Sequence, residues 1–214
     1  MSPLDFSGGG AGDIFIISAP SGAGKTTLCD RLIAELPRLR HSVSYTTRNP
    51  RPGEVDGVHY NFVPEAEFKA MVERDEFVEW AVVHGNYYGT SAEGLREMTA
   101  SGADVVLDID TQGAKQMKGK FPEAVYIFIL PPSMKTLRQR LEDRKSDSPD
   151  VIVRRLKNAV DEIRDYYLYD YVIINDVLEE ALERLKAVIL AQRVSASRVD
   201  PAWIEEQFFK EVQG

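Results

Sequence analysis

Four short runs of apolar residues along the chain have the length and composition of buried strands. They lie at residues 13–18, 103–109, 124–130 and 169–175 and read DIFIIS, ADVVLDI, AVYIFIL and YDYVIIN. Between and after them, apolar residues recur three or four positions apart, which predicts amphipathic helices over residues 25–36, 133–144, 151–167 and 177–193. Strands that alternate with helices predict an α/β fold with a parallel sheet core flanked by helices.

The stretch from about residue 42 to residue 90 breaks this alternation. It is rich in Thr, Tyr, Arg and Gly, and HYNFV and FVEWAVV alternate between apolar and polar residues. That pattern is typical of antiparallel strands with one exposed face. We therefore expect an inserted lobe here.

Three further segments have a local character of their own. Residues 1–12 are glycine-rich and predict a flexible leader, and the polar run RKSDSPD at residues 144–150 predicts a mobile loop. The run PAWIEEQFFKEV near the carboxyl end predicts a short docking helix.

Composition narrows the class of protein. A chain of 214 residues that is 43% hydrophobic is long enough for one core, and its net charge of −8 argues against binding to nucleic acid. We expect no membrane segment, because no run of about 18 apolar residues occurs. Cys29 is the single cysteine, which excludes an internal disulfide and fits a cytoplasmic protein. Monomer and homo-oligomer remain alternatives.

The run SAPSGAGKTT at residues 18–27 nearly matches the phosphate-binding pattern G-x-x-x-x-G-K-[ST], with Ala19 in place of the first glycine. It follows a predicted strand and opens a predicted helix, which places the positive end of the helix dipole at the phosphates. We expect the alanine to be tolerated if its φ is negative and nothing crowds its Cβ. The residues of the loop that we expect to bind a nucleotide are Ala19, Pro20, Ser21, Gly22, Ala23, Gly24, Lys25, Thr26 and Thr27.

Arg48 and Arg51 lie three positions apart around Pro50, in a segment where Pro52 and Gly53 exclude a regular helix. Two guanidinium groups on a restrained turn suit a phosphate dianion. The alternative is that both arginines are simply solvated.

Three longer segments carry a resemblance to a known family. SVSYTTRNPRPGEVDGVHYNF, FVEWAVVHGNYYGTS and VVLDIDTQGA, in this order after the phosphate loop, closely resemble the signature segments of guanylate kinases. The resemblance covers roughly residues 13–195. It implies the P-loop nucleoside monophosphate kinase fold, with an inserted mixed-β GMP-binding lobe at 42–95, a helical lid at 138–155 and a core at 13–41, 96–137 and 156–195. Residues 196–214 would form a C-terminal extension.

The resemblance also implies which residues bind GMP. Its phosphate ligands match Arg48, Arg51, Tyr60 and Tyr88, and its guanine contacts match Ser44, Glu79, Thr90 and Asp110, with Glu54 in the same set. A carboxylate at Glu79 can accept hydrogen bonds from guanine N1–H and the 2-amino group, and a hydroxyl of Ser44 or Thr90 can donate to O6. The alternative for Glu79, an exposed strand carboxylate, is disfavoured by its apolar neighbours Phe77 and Val78.

Acidic residues close one predicted strand. Asp108 and Asp110 are two positions apart and would share a face if the strand continued to Asp110. Asp108, with the Thr26 hydroxyl, is our candidate ligand of Mg²⁺, directly or through water. Capping of the strand end is the alternative for Asp108.

The remaining candidates surround the donor nucleotide. In the resembled family, arginines matching Arg140, Arg144 and Arg155 belong to a lid over ATP, and Arg144 and Arg155 would stabilise charge on the transferred phosphoryl group. Asn175 would contact ATP on the adenine side, although a helix cap is its alternative role. Lys25 and Arg48 complete the predicted catalytic set.

The resemblance implies ATP-dependent phosphorylation of GMP and dGMP to the diphosphate, with Mg²⁺ as cofactor. Two alternatives stay open at this point. One is a noncatalytic module that resembles these enzymes but binds protein partners, and the other is a kinase for a different nucleoside monophosphate.

Overall fold

The structure is a computed structural model that describes residues 11–83, 85–143 and 148–210. The strands of the described part are β1 (Ile14–Ser18), β2 (Leu39–His41), β3 (Tyr45–Thr46), β4 (Asn61–Phe62), β5 (Phe77–Val83), β6 (Asn86–Ser91), β7 (Asp104–Asp108), β8 (Val125–Leu130) and β9 (Tyr171–Ile174). The helices are α1 (Lys25–Glu35), α2 (Glu65–Glu73), α3 (Ala92–Ala100), α4 (Thr111–Lys120), α5 (Met134–Asp143), α6 (Pro149–Arg164), α7 (Leu178–Arg193) and α8 (Pro201–Ile204). A 3₁₀ turn at Asp165–Leu168 follows α6, another lies at Ala196–Arg198, and α8 continues as a π-helical turn, Glu205–Phe209.

The central sheet has the order β2-β7-β1-β8-β9, and all its strand pairs are parallel. Helices α1 and α7 supply Leu28, Leu32 and Leu185 to the core on one face, and α3 and α4 supply Leu95 and Met117 to the core on the other. Burial on both faces explains why β1 and β8 are continuous apolar runs. The predicted α/β fold is confirmed.

A second sheet forms the inserted segment, in the order β4-β3-β6-β5. Phe68 on α2 stacks on Phe77 at a centroid distance of 4.5 Å, which closes a small core of its own. The expectation of half-exposed antiparallel strands is confirmed for β5, which pairs antiparallel with β6 and exposes Trp80 and Val82. It is wrong for β4, which runs parallel to β3. Helix α4 covers the other face of β5.

Two predicted irregular segments are shorter than expected. Part of the predicted loop at 144–150 lies outside the described residues, but Pro149 and Asp150 already form the first turn of α6, since proline suits the first helical position. In the predicted leader, residues 1–10 are likewise outside the described part. Gly12 is fixed there, because its N–H donates to the Thr99 carbonyl at 2.8 Å.

Candidate active site

The phosphate loop connects β1, the central strand of the sheet, with α1. Gly22 and Gly24 have φ values of 99° and 93°, a left-handed conformation that glycine adopts without strain. A Cβ on Gly24 would lie 2.4 Å from Asn175 Nδ2. No side chain caps α1, so the N–H groups of its first turn remain available to an anion.

The backbone of Ala19 meets the φ condition for an alanine at the start of the loop. Arg38 and Asp75 are the described non-glycine residues with positive φ, so the φ of Ala19 is not positive. Its methyl group packs against the core cluster beneath α1. The departure from the glycine pattern therefore needs no left-handed backbone conformation.

Lys25, the first residue of α1, forms an ion pair with Asp108 at the end of β7. Its ammonium also donates to the Ile109 carbonyl at 2.8 Å. Burial alone would lower the pKa of Lys25, but the adjacent Asp108 carboxylate outweighs burial and the net pKa is raised. Lys25 is therefore charged and already held at the carboxyl edge of the sheet.

Asp108 and Asp110 do not share a strand face, because β7 ends at Asp108. Asp110 is instead the N-cap of α4, and its Oδ1 accepts from the Gly113 N–H at 2.9 Å. The Thr26 hydroxyl belongs to an exposed residue in the first turn of α1. Within the described residues no group of three acidic, histidine or cysteine side chains is arranged for a metal ion.

A pocket of about 430 Å³ lies beside the loop, between α1, α5 and the turn that follows β9. Gly22, Gly24, Thr27, Arg140 and Asn175 are among its lining residues. The structure therefore brings Arg140 and Asn175 to the phosphate loop. Asn175 is 4% exposed, and its side-chain amide donates to the Ala23 carbonyl rather than capping the following helix α7, whose N-cap is Val177.

The predicted phosphate ligands of the inserted lobe cluster around Arg48. Its guanidinium lies 5.3 Å from the centroid of the Tyr60 ring, and the Tyr60 and Tyr88 rings are 6.0 Å apart. Arg51 is exposed at the turn, where its backbone N–H donates to Glu54. Burial is the main cause that raises the pKa of Tyr60, and the Asp108 carboxylate adds to it.

Glu54 makes a two-pronged ion pair with Arg48. Both Arg48 Nη1 and Nη2 donate to the Glu54 carboxylate, each at 2.9 Å. Hydrogen bonds from Arg48 lower the pKa of Glu54 to about 2. The carboxylate therefore fixes the orientation of the guanidinium, which is a different contact from the ligand contact expected from the sequence.

Glu79 and Thr90 face each other across β5 and β6, and the Thr90 hydroxyl donates to Glu79 Oε1 at 2.6 Å. They are 3% and 0% exposed. Burial is the main reason that the pKa of Glu79 is raised to about 7, and the Asp110 carboxylate adds to it. Helix α4 approaches closely here, since a Cβ on Gly113 would lie 2.5 Å from Glu79 Oε2. Ser44 is half-buried immediately before β3.

Arg155 lies half-buried on α6, whereas Arg144 falls outside the described residues. The same helix carries Glu162, two turns further on, which the sequence reasoning missed. Burial raises the pKa of Glu162 to about 7, and the charges of Asp110 and Lys25 both reach it. An acidic residue seven positions after Arg155, and therefore on the same face of an amphipathic helix, was the signal available in the sequence.

A phosphate loop at the carboxyl edge of a parallel sheet, faced by a mixed-sheet lobe, defines the P-loop nucleoside monophosphate kinase fold. A family model for guanylate kinase matches residues 12–192. The guanylate kinase of Geobacter sulfurreducens is 56% identical over 188 residues, which are 88% of this chain and 93% of that protein. The guanylate kinase of Symbiobacterium thermophilum is 47% identical over 194 residues, or 91% and 92%.

A solved structure agrees with these relatives. The crystal structure of guanylate kinase from Anaplasma phagocytophilum matches with a TM-score of 0.78 and 35% identity, over 94% of this chain and 96% of that one. The chain therefore belongs to the guanylate kinase family. Within its described residues, no helix combines the length and the apolar character needed to cross a membrane.

Proposed function

We propose that this protein transfers a phosphoryl group from ATP to GMP, and to dGMP, giving the diphosphate and ADP. The observation that carries the proposal is the buried Glu79–Thr90 pair in a lobe that faces a phosphate loop. Helix α4 joins the two halves of the site, because it begins just after Asp108, the ion-pair partner of Lys25, and approaches Glu79 through Gly113.

Guanine selectivity would follow from hydrogen bonding to the buried Glu79 carboxylate and the polar groups beside it. The Glu79 carboxylate accepts from N1–H and the 2-amino group of guanine. Because the Thr90 hydroxyl already donates to Glu79, we assign the donor to O6 to Ser44. Adenine would leave these groups unpaired, which a buried polar site penalises strongly. Asp110 would support this site by capping α4, whose first turn lies against Glu79.

The GMP phosphate would be bound by Arg48, Arg51, Tyr60 and Tyr88, with Glu54 orienting Arg48. Aromatic contacts and the Glu54 pair hold the Arg48 guanidinium before any ligand arrives. A side chain that is already oriented, such as Arg48, loses less conformational entropy when the phosphate binds.

The ATP phosphates would lie on the backbone N–H groups of residues 19–27, with Lys25 beside them. Arg140 and Asn175 border the same loop on its pocket side. Charge neutralisation and positioning are the main contributions that proteins make to phosphoryl transfer. The acceptor phosphate is anionic, so the residues need not remove a proton from it.

The residues present fit a magnesium ion that is held mainly by nucleotide phosphates and water. Thr26 offers an exposed hydroxyl and Asp108 a carboxylate, and Mg²⁺ commonly uses few protein ligands. When bound, the ion would neutralise phosphate charge. When the nucleotide binds, Lys25 would leave its ion pair with Asp108 and contact the phosphates, and the Asp108 carboxylate would become available to the ion or its water ligands.

The lid arginines would complete the site. We assign Arg144 and Arg155 to charge that develops on the transferred group, with residues 138–155 as the lid, 42–95 as the GMP-binding lobe and the remainder of 13–195 as the core. We place the reaction in the cytoplasm, in keeping with the lone, buried Cys29. A noncatalytic binding module would have no need for the oriented Lys25 and Arg48.

A coupled assay with ATP and GMP, dGMP, AMP or UMP tests the proposal. We expect turnover with GMP and dGMP and little with AMP or UMP. Lys25→Ala should lower kcat by about 1,000-fold, a loss typical of removing a group that stabilises transferring charge. Lys157→Ala, at an exposed position on α6, is the matched control. Retained turnover in Lys25→Ala, or equal use of AMP, would contradict the proposal.

A further inference from the structure

The Ala23 carbonyl of the phosphate loop accepts two side-chain hydrogen bonds. Asn175 Nδ2 donates to it at 2.7 Å and Arg140 Nη1 at 3.2 Å. Asn175 immediately follows β9 and Arg140 lies on α5, 152 and 117 positions from Ala23 along the chain. Two separate elements therefore converge on one peptide group of the loop.

Asn175 is itself held at every polar backbone group. Its N–H donates to the Leu130 carbonyl at 2.7 Å, which continues the pairing of β8 with β9. Its carbonyl accepts from Arg140 Nη2 at 2.9 Å. The side-chain amide touches the loop so closely that Gly24 has room for no Cβ. The amide is thus part of the support of the loop.

The direction of one peptide group connects this support with the phosphates. In a trans peptide, the carbonyl and the N–H of the next residue point in opposite directions, and the described residues contain no cis peptide bond. Because the Ala23 carbonyl faces Asn175 and Arg140, the Gly24 N–H points to the other side, away from them. Gly24 is the N-cap of α1, where N–H groups bind anions.

We propose that Asn175 is a positioning residue that orients the phosphate loop for the donor nucleotide through the Ala23–Gly24 peptide. Arg140 links the same peptide to helix α5. The inference rests on the proposed function, because it assumes that the loop holds ATP. It assigns the Asn175 amide to the loop rather than to the adenine base.

Two substitutions separate loop support from base contact. Asn175→Asp keeps the size of the side chain, removes the donor and places an oxygen against the Ala23 carbonyl. We expect KM for ATP to rise by about 10- to 100-fold, the range for a lost buried hydrogen bond that leaves an unpaired group, while KM for GMP stays unchanged. Asn175→Ala leaves the Arg140 bond in place, so about a tenfold rise is expected.

The donor base supplies the readout that a purely structural residue would not move. ITP carries the same triphosphate as ATP but a different base, so loop support predicts that kcat/KM falls by one common factor for both donors. If Asn175→Ala instead reduces the ratio of kcat/KM for ATP to kcat/KM for ITP, the Asn175 side chain contacts the donor base and the inference is wrong. The inference is also wrong if the KM values for ATP and GMP stay at the wild-type level in the Asn175 variants and only the melting temperature falls.

Two controls complete the experiment. Asn158→Ala removes an exposed amide on α6 and should leave both KM values unchanged. Calorimetric titration of the wild type and both variants with ADP reports on the loop without catalysis. Wild-type protein that binds ADP but does not phosphorylate GMP would refute the proposed function alone, and equal ADP affinity in all three proteins would refute the role of Asn175 alone.

Discussion

The fold buries the Glu79 carboxylate almost completely from solvent. Its hydrogen bond from Thr90 supplies one partner, and in the proposed function the remaining lone pairs accept hydrogen bonds from guanine. Glu79→Gln preserves the shape but turns one acceptor into a donor. We expect KM for GMP to rise by about 10- to 100-fold, because hydrogen bonds to charged groups are worth about 1.5–3 kcal/mol, and KM for ATP to stay unchanged.

The steady-state KM values of both substrates check this expectation. Glu73→Gln, an exposed carboxamide substitution on α2 in the same lobe, is the control and should resemble the wild type. A parallel rise in both KM values would mean that Glu79 does not read guanine.

The raised pKa of Glu79, about 7, also predicts a pH dependence. Below pH 7 the carboxyl group is protonated and loses acceptor capacity, so the apparent KM for GMP should fall about tenfold from pH 6 to pH 8. Folding opposes ionisation here, since the pKa rises from 4.5 to about 7. The contribution of Glu79 to the free energy of unfolding therefore falls as pH rises through that window.

Glu162 needs a separate control, because its pKa is also raised to about 7. Dividing each variant's pH profile of KM by the wild-type profile removes the ionisation of GMP itself. In that ratio Glu79→Gln should rise about tenfold from pH 6 to pH 8, because the wild-type transition remains in the denominator, whereas Glu162→Gln should give a flat profile. The opposite result would assign the titration to α6.

At this scale the sequence supplied residue types but not their partners. Lys25, Arg48 and Glu79 were predictable, because a motif or a strong resemblance contains them. The hydrogen bond from Thr90 and the Glu54 pair were not, since both depend on strand register and turn geometry that bring side chains together. The resemblance to one family carried the site prediction much further than spacing alone.

Helix α4 approaches Glu79 closely because it has a glycine, Gly113, in its first turn. Gly113→Ala should push the Glu79 carboxylate away, because the new Cβ would meet Oε2 at 2.5 Å, and we expect KM for GMP to rise by roughly tenfold. Gly119→Ala on the same helix meets no atom within 4 Å. It should add about 0.5–1 kcal/mol of stability without changing KM, since alanine favours helices.

Thermal unfolding and GMP kinetics of the two variants provide the comparison. Similar KM values for both would show that Glu79 shifts without loss of binding, and would contradict the importance of the close approach.

Elements with continuous or strongly periodic apolar patterns were predictable, and short ones were not. The predicted runs at 13–18 and 124–130 became β1 and β8 almost residue for residue. The three-residue strand β2 and the nine-residue helix α2 escaped prediction. Each buries too few side chains for a periodic signal, and tertiary packing fixes them.

The two ends of β7 serve different purposes in the molecule: one end contributes to stability and the other end lies at the candidate active site. Asp104 opens β7 and binds Arg193 at 2.8 Å, whereas Asp108 closes the strand at the site, about 13 Å away for four residue steps. Asp104→Ala should cost about 3 kcal/mol, because it removes the acceptor of both the part-buried Asp13 N–H and the Arg193 guanidinium. The melting temperature should fall by roughly 6–12 °C for a chain of this size, with KM values unchanged.

Asp161→Ala removes the exposed pair with Arg164 and is the matched control, with an expected change near zero. Scanning calorimetry measures both variants. If Asp104→Ala changes the KM values instead of the melting temperature, the two ends of β7 are not independent.

Whole-molecule architecture was only partly predictable. Alternating strands and helices indicated the parallel sheet, and the break in alternation indicated the lobe. No pattern predicted how the lobe docks, since that depends on contacts such as Gln116 of α4, whose amide bonds the Trp80 backbone at both N–H and carbonyl. Docking of this kind joins residues 36 positions apart and has no local signature.

The close approach of α4 to Glu79 also bears on how such a pocket can be transplanted. If the lobe of residues 42–95 alone carried the proposed guanine preference, it could be moved to another phosphate-loop protein with that preference intact. Yet Gly113, the Asp110 cap and Gln116 belong to the host sheet's own helix. We therefore expect a chimera to recognise guanine only when α4 is transferred together with the lobe. The segment that determines specificity includes this helix.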